Sequence, residues 1–304
     1  MAAANSEGNG QKPSLETFQL FSSSASALGI FDDATQQVPH IPPPPCVEVL
    51  ASEGRVNTQQ VFGLSNSNLV PWKYEGGLKL WEGSLDLIKA LRSDIRNGLI
   101  SFSGKRVLEV GSGHGLPGIF ALLEGAAAVH FQDFNAEVLR FLTIPNLNAN
   151  LSRDTQLSSF NSTICDKAEV CFFAGDWSGI DKLLPHVSTD AKNNQGDGYD
   201  FILMAETVYS INSLQNLYDL IKKCLQHPDG VVYMAAKKYY FGVGGGTGDF
   251  CLCWNLNYGT MCSMPDGSHQ KLAHVMQCVM TSSLVAEITD GSSNVHEVWK
   301  LAYK

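Results

Sequence analysis

Residues 106–118 read Arg-Val-Leu-Glu-Val-Gly-Ser-Gly-His-Gly-Leu-Pro-Gly, a short apolar run that enters a cluster of glycines and leaves as an apolar helix starting near Leu116. In an open α/β sheet the first strand-to-helix turn is where a nucleotide-like ligand sits, because glycines let it approach the backbone closely. Gly113, Gly115 and Gly118 satisfy G-x-G-x-x-G, and Asp133 stands 20 residues beyond Gly113, so a dinucleotide fingerprint is formally present. Glu109 argues against it. An acid in the strand just before the first glycine repels a pyrophosphate and suits the ammonium end of S-adenosylmethionine. Asp133 ends the next strand and serves ribose hydroxyls in either case.

Strand and helix patterns alternate around this turn. Trp81, Leu85, Ile88 and Leu91 fall near helical spacing upstream. Further strands are expected at 128–133, 169–174, 199–205, 230–235, 284–288 and 297–302, which with 106–110 make seven. Helical patterns at 135–141 and 214–225 lie between them, and polar stretches at 151–167 and 186–198 read as surface loops. The expected fold is therefore α/β: a seven-strand Rossmann-like methyltransferase sheet, mostly parallel, with helices on both faces. Asp176 and Trp177 follow the third strand, where a carboxylate can accept from an adenine amino group and an indole can cover its face. A helix cap followed by a core Trp is the alternative there. Trp81 is either core or a ring near the sulfonium cation.

Residues 1–66 are rich in Ser, Ala, Asn, Gln and Pro and read as a disordered tail; 67–304 read as one methyltransferase domain. The chain is 44% hydrophobic, which is enough to bury a full core. Its 21 basic against 30 acidic residues give a formal charge of -9, so direct nucleic-acid binding is not expected and a basic protein partner fits better. The eight cysteines include no C-x-x-C pair and read as reduced thiols. His269 and His274 match no ligand spacing, so no metal is expected. Neither a signal sequence nor a membrane span is expected.

Several blocks, taken in order, resemble the histidine protein methyltransferase family. They are Gly76-Gly77-Leu78-Lys79-Leu80-Trp81-Glu82, the glycine loop, His130-Phe131-Gln132-Asp133-Phe134-Asn135, Thr143-Ile144-Pro145-Asn146, Phe172-Phe173-Ala174-Gly175-Asp176-Trp177-Ser178, Glu206-Thr207-Val208-Tyr209 and Tyr240-Phe241-Gly242-Val243-Gly244-Gly245-Gly246. The resemblance implies S-adenosylmethionine as donor, a histidine of a large-subunit ribosomal protein as acceptor, and cytoplasm and nucleus as compartments; a monomer is expected. It also places cofactor contacts at Leu80, Trp81, Glu82, Gly83, Ser84, Gly111, Gln132, Asp133, Phe134, Gly175, Asp176, Trp177 and Ala205, beside the Glu109 and Gly113 read above. Glycine's backbone freedom would let Gly242, Gly244, Gly245 and Gly246 close as a loop over the acceptor, with an idle flexible linker as the alternative. Two departures stand out. Ala205 occupies a position where the family has a small polar residue, and 251–283 lose the family pattern, which resumes at Leu284.

The E-x-x-Y block, Glu206 to Tyr209, leaves the fourth strand at the sheet's ligand-binding edge, so Glu206 and Tyr209 are the candidate catalytic pair. Methyl transfer needs an acceptor lone pair, and a protonated imidazole has none. Glu206 could accept a hydrogen bond from the ring's other N–H, and Tyr209 could orient the ring. The plain alternative makes Glu206 a helix cap. A lysine methyltransferase with the same cofactor frame and a non-catalytic module retaining the fold are the rival functions.

Overall fold

The computed structural model describes residues 16–20, 40–41, 51–52, 74–157, 168–187, 197–241, 244–248, 250–251, 280–289 and 295–303. One sheet of eight strands organises it: β1 Glu16–Leu20, β2 Arg106–Val110, β3 Ala128–Asp133, β4 Glu169–Ala174, β5 Phe201–Ala205, β6 Val231–Lys237, β7 Met280–Thr289 and β8 Val295–Tyr303. Their spatial order is β1-β4-β3-β2-β5-β6-β8-β7. The five central strands, β4-β3-β2-β5-β6, are parallel, and the pairings at both edges are antiparallel.

The central strands are buried on both faces, as the near-continuous apolar runs require. Period-2 alternation divides their side chains between two cores. Phe131, Phe172, Leu203 and Tyr233 pack on one face with Leu87 and Leu91 of helix α1 (Glu82–Arg96) and Ile119 and Phe120 of α2 (Leu116–Leu123). Leu108, Phe173, Ile202 and Met234 pack on the other with Leu217 and Ile221 of the helix Ile211–Cys224.

Chain order reverses between β2 and β5. The chain runs β2, β3, β4 outward on one side and then returns to lay β5 and β6 on the other. That switch point opens a crevice at the carboxyl ends of β2 and β5.

All seven expected strands are present, with β7 and β8 longer than their sequence signals. One expectation is corrected. The stretch 151–157 is helix and not loop: one α turn, Ala136–Val138, leads through a π turn, Leu139–Thr143, into α3, Ile144–Leu157. The run continues through Pro145, directly after the π turn. Within 1–66 three short segments are strands. β1 pairs with β4, and His40–Ile41 pairs with Ala51–Ser52. The alternation Thr17-Phe18-Gln19-Leu20 is strand-compatible, but five residues give too short a period to stand out. The rest of the expected tail, and most of 251–283, lie outside the described residues. Among the described residues no helix is long and apolar enough to cross a membrane. The helix Ile211–Cys224 is α4 below.

Candidate functional site

A cavity of about 340 Å³ opens in the crevice at the switch point. Gly111, Ser112 and Gly113 from the β2 turn, Asp133 and Phe134 from β3, Asp176 and Trp177 after β4, and Ala205 to Thr207 after β5 all reach it. Gly76, Gly77, Lys79, Leu80, Trp81 and Ser84 close it on the α1 side.

The glycine turn is shaped by the backbone. Gly111 and Gly113 hold left-handed φ values of 64° and 51°, which L side chains rarely adopt, so the turn lines the cavity with main chain. Asp133 fixes it from below: its Oδ2 accepts from Gly113 N at 2.9 Å and its Oδ1 from Asn135 N at 3.0 Å. Thr143 Oγ1 donates to Gly113 O at 2.7 Å, and Asn146 Nδ2 to His114 O at 2.9 Å. Gly118 brings the first turn of α2 against Glu109, whose Oε2 accepts from Gly118 N at 2.8 Å.

Gln132 is a brace. Its Oε1 accepts from Gly111 N at 3.2 Å and from Trp177 Nε1 at 3.0 Å, while its Nε2 donates to Gly175 O at 2.9 Å. One buried amide thus ties the turns after β2 and β4 together. Trp81 donates through Nε1 to Gly76 O at 3.0 Å, and Lys79 Nζ lies 4.2 Å from its ring centroid. Asp176 accepts from Ser178 N at 3.0 Å, so it caps the following turn as well as facing the cavity.

On the β5 side, Glu206 has φ 57°, a left-handed value rare for an acidic residue. This sharp exit from β5 turns its side chain back toward α1, where its Oε1 lies against Gly83. The Tyr240 hydroxyl donates to Glu206 Oε2, and the Tyr209 hydroxyl donates to Glu75 Oε2. The two phenol rings meet edge to face with centroids 6.3 Å apart. Helix α4 starts at Ile211 after Ser210, so Glu206 does not cap it.

Three buried acids face this one cavity: Glu109, Asp133 and Glu206. Burial pushes Glu109 well above the usual carboxylate range and lifts Asp133 to about 6, against the backbone N–H bonds that oppose it. Burial also raises Glu206, with the Tyr240 hydroxyl, His296, Lys237 and the Gly83 backbone pulling the other way.

Not every expected site residue reaches the cavity. Gln132 and Gly175 stand behind it as described, and Gly83 touches it only through Glu206. Glu82 is exposed, with His296 Nε2 at 3.6 Å. Gly244, Gly245 and Gly246 do not line it either. Gly246 N donates to Val208 O at 2.9 Å, a Cβ on Gly245 would stand 2.6 Å from that same carbonyl, and one on Gly246 would collide with Lys238 O. These glycines are packed under the E-x-x-Y block and not spread over the opening. Gly242 lies outside the described residues.

Other residues in the site carried no assigned role in the sequence reading. Thr143, Asn146 and Tyr240 fall inside recognised blocks, but only the tertiary fold shows what they hold. Glu75 and the α4 residues Asn212, Ser213 and Asn216 line the cavity and give no local signal.

The chain matches no family profile. It is 37% identical over 241 residues to a protein of Dictyostelium discoideum named histidine protein methyltransferase 1 homolog, covering 79% of this chain and 62% of that one. A Bos taurus protein of the same name is 37% identical over 193 residues, covering 60% of this chain and 49% of its own. The chain thus spans about half to three-fifths of the length of these relatives. A solved structure titled a putative SAM-dependent methyltransferase from Streptococcus mutans aligns with a TM-score of 0.42 at 16% identity, covering 72% of this chain and 47% of that one.

Proposed function

We propose, from the chain's kinship with the histidine protein methyltransferases, that it is an S-adenosylmethionine-dependent methyltransferase whose acceptor is a histidine of another protein. The observation that carries this reading is the set of three buried carboxyls around one cavity at the switch point. Each has its pKa raised by burial, and a ligand with two positive centres offsets that burial cost where a pyrophosphate would add to it. Two buried hydroxyls that line the cavity, Ser112 Oγ and Thr207 Oγ1, have no partner among the described residues and suit a polar ligand.

The residues present fit that cofactor. Gly111 and Gly113 would take its amino-acid arm with Glu109 toward the ammonium, Asp133 the ribose, and Phe134, Asp176 and Trp177 the adenine. When bound, it supplies an electrophilic methyl group on a sulfonium. The chain's part is to hold an imidazole nitrogen in line with that methyl and to govern the ring's proton.

About a quarter of free histidine is protonated at pH 7, and that form cannot attack. Glu206, as the anion, accepts the N–H of the ring's remote nitrogen. This fixes which nitrogen carries the lone pair and balances the charge the ring gains. Tyr240 holds Glu206 in place, and Tyr209, tethered to Glu75, borders the acceptor.

A histidine in a large-subunit ribosomal protein is the acceptor class we favour, because a basic surface suits a chain of charge -9. Cytoplasm and nucleus are the matching compartments. The test is transfer of a labelled methyl from S-adenosylmethionine into ribosomal fractions, with mass spectrometry of the modified residue. Methyl-histidine is expected; methyl-lysine would overturn the acceptor, and absence of both label and S-adenosylhomocysteine binding would overturn the enzyme.

A further inference from the structure

On the sheet face that carries α4, away from the cavity, three side chains distant in sequence converge. His130 lies in the middle of β3, Glu169 starts β4, and His186 follows the 3-10 turn Ile180–Lys182. One donor atom from each lies within 4.8 Å of the others. None of the three lines the cavity.

His130 is completely buried, and its Nδ1 meets the Tyr199 hydroxyl at 2.8 Å. Its Nε2 faces Glu169 Oε1 at 3.6 Å, beyond a good hydrogen bond. Neither His130 Nε2 nor His186 Nε2 has a hydrogen-bond partner among the described residues, although both atoms are buried. The two rings are parallel within 3°, with centroids 5.5 Å apart.

Two buried ring nitrogens and a carboxylate oxygen thus lie close together with no hydrogen bond among them. A metal ion is the partner that buried ring lone pairs beside a carboxylate can take. Neutral imidazoles are what a metal requires. We propose that His130, His186 and Glu169 form a zinc site that staples the segment after β4 to the sheet.

Two imidazoles and a carboxylate are a common zinc donor set, with bonds of about 2.0–2.2 Å. Donors on one ion then stand roughly 3.4 Å apart, so the site must contract. Glu169 is 49% exposed on its side chain and His186 sits outside regular structure, so both have room to close on His130. Tyr199 supplies the outer-shell partner that fixes which nitrogen of His130 is free. Cys171 is the strand neighbour of His130, with Sγ 3.7 Å from Glu169 Oε1, and it or water completes the coordination.

The site is tested on tag-free full-length protein. Cobalt substitution should give visible d–d absorption that zinc abolishes, and zinc should raise the thermal midpoint. Glu169→Gln and His186→Gln should each weaken zinc binding by about tenfold or more, with circular dichroism unchanged. Glu169 is exposed at a strand end, so its variant tests the site even if a buried-ring variant misfolds. Absence of both the cobalt band and the zinc-induced shift in the parent overturns the proposal. So does undiminished zinc affinity in the folded variants, which would place the metal on other residues.

Discussion

The two walls of the cavity hold their acids by different means. On the β2–β3 wall, Glu109 and Asp133 are gripped by main-chain N–H groups of Gly118, Gly113 and Asn135. On the β5–β6 wall, Glu206 is gripped by a phenol from Tyr240, and Tyr209 by a carboxylate from Glu75, both far off in sequence. The first arrangement follows from one strand, one turn and one helix start, so it is as rigid as the sheet. The second depends on the loop after β6 being seated correctly. If the first wall takes the cofactor and the second the acceptor, as proposed, the two can be damaged separately.

The sharpest way to separate them is a pair of glycine substitutions. A Cβ on Gly118 would stand 2.5 Å from Phe131 and 2.6 Å from Glu109 Oε2, so Gly118→Ala should abolish measurable S-adenosylhomocysteine binding by calorimetry. Gly246→Ala meets Lys238 O from a φ of 147° and should cost about 3 kcal/mol of stability in denaturant titration. It should also cut kcat while leaving cofactor affinity within error below the melting range. Loss of cofactor binding in the Gly246 variant would show the walls to be one unit.

Next in size, Glu206→Gln should lower kcat by about 10²-fold with cofactor affinity kept, read by labelled methyl transfer. Parental turnover in the folded variant would remove Glu206 from the chemistry and leave positioning by the cavity as the source of rate.

Asp133 gives a pH test of the backbone-held wall. Its folded pKa, about 6, lies above the ordinary value of 3.8, so the folded state binds more protons between those limits. The stability it contributes is present below pH 4 and is lost as pH rises through 6, by on the order of 3 kcal/mol. Glu109 acts with the same sign. Asp133→Asn should flatten this decline in the ligand-free protein and weaken cofactor binding by about 2 kcal/mol. An unchanged pH slope would mean that Asp133 does not titrate in this range.

This division also explains what could be read in advance. Strand periodicity and the glycine turn placed Glu109, Gly111, Gly113 and Asp133 at one edge, because their partners lie within a single βαβ frame. Gln132 was expected as a cofactor contact through the family resemblance, and its bracing role could not be read, since its amide serves turns on two different strands. The packing of Gly244 to Gly246 beneath Val208 could not be seen, because a glycine run reads alike whether it bends freely or packs tightly. His130, Glu169 and His186 escaped for a related reason. Their spacing along the chain follows no ligand pattern, and only the pairing of β3 with β4 brings them together.

The smallest predicted effect probes the side-chain wall at its weakest link. Tyr240 touches Glu206 through one hydroxyl, and Lys237 N donates to that hydroxyl at 3.3 Å, which holds the phenol in place. Tyr240→Phe keeps the ring and its edge contact with Tyr209 but leaves Glu206 Oε2 without its donor. Because that bond opposes the effect of burial, its loss should raise the Glu206 pKa further. The active anion is then scarcer at neutral pH, and kcat should fall roughly three- to tenfold, equivalent to about 1 kcal/mol. The acid limb of the pH–kcat profile should move up, and activity should recover as pH is raised. A purely structural role for Tyr240 would lower kcat equally at every pH. A uniform loss would therefore assign the hydroxyl to packing, while a displaced limb would tie it to the proton state of Glu206.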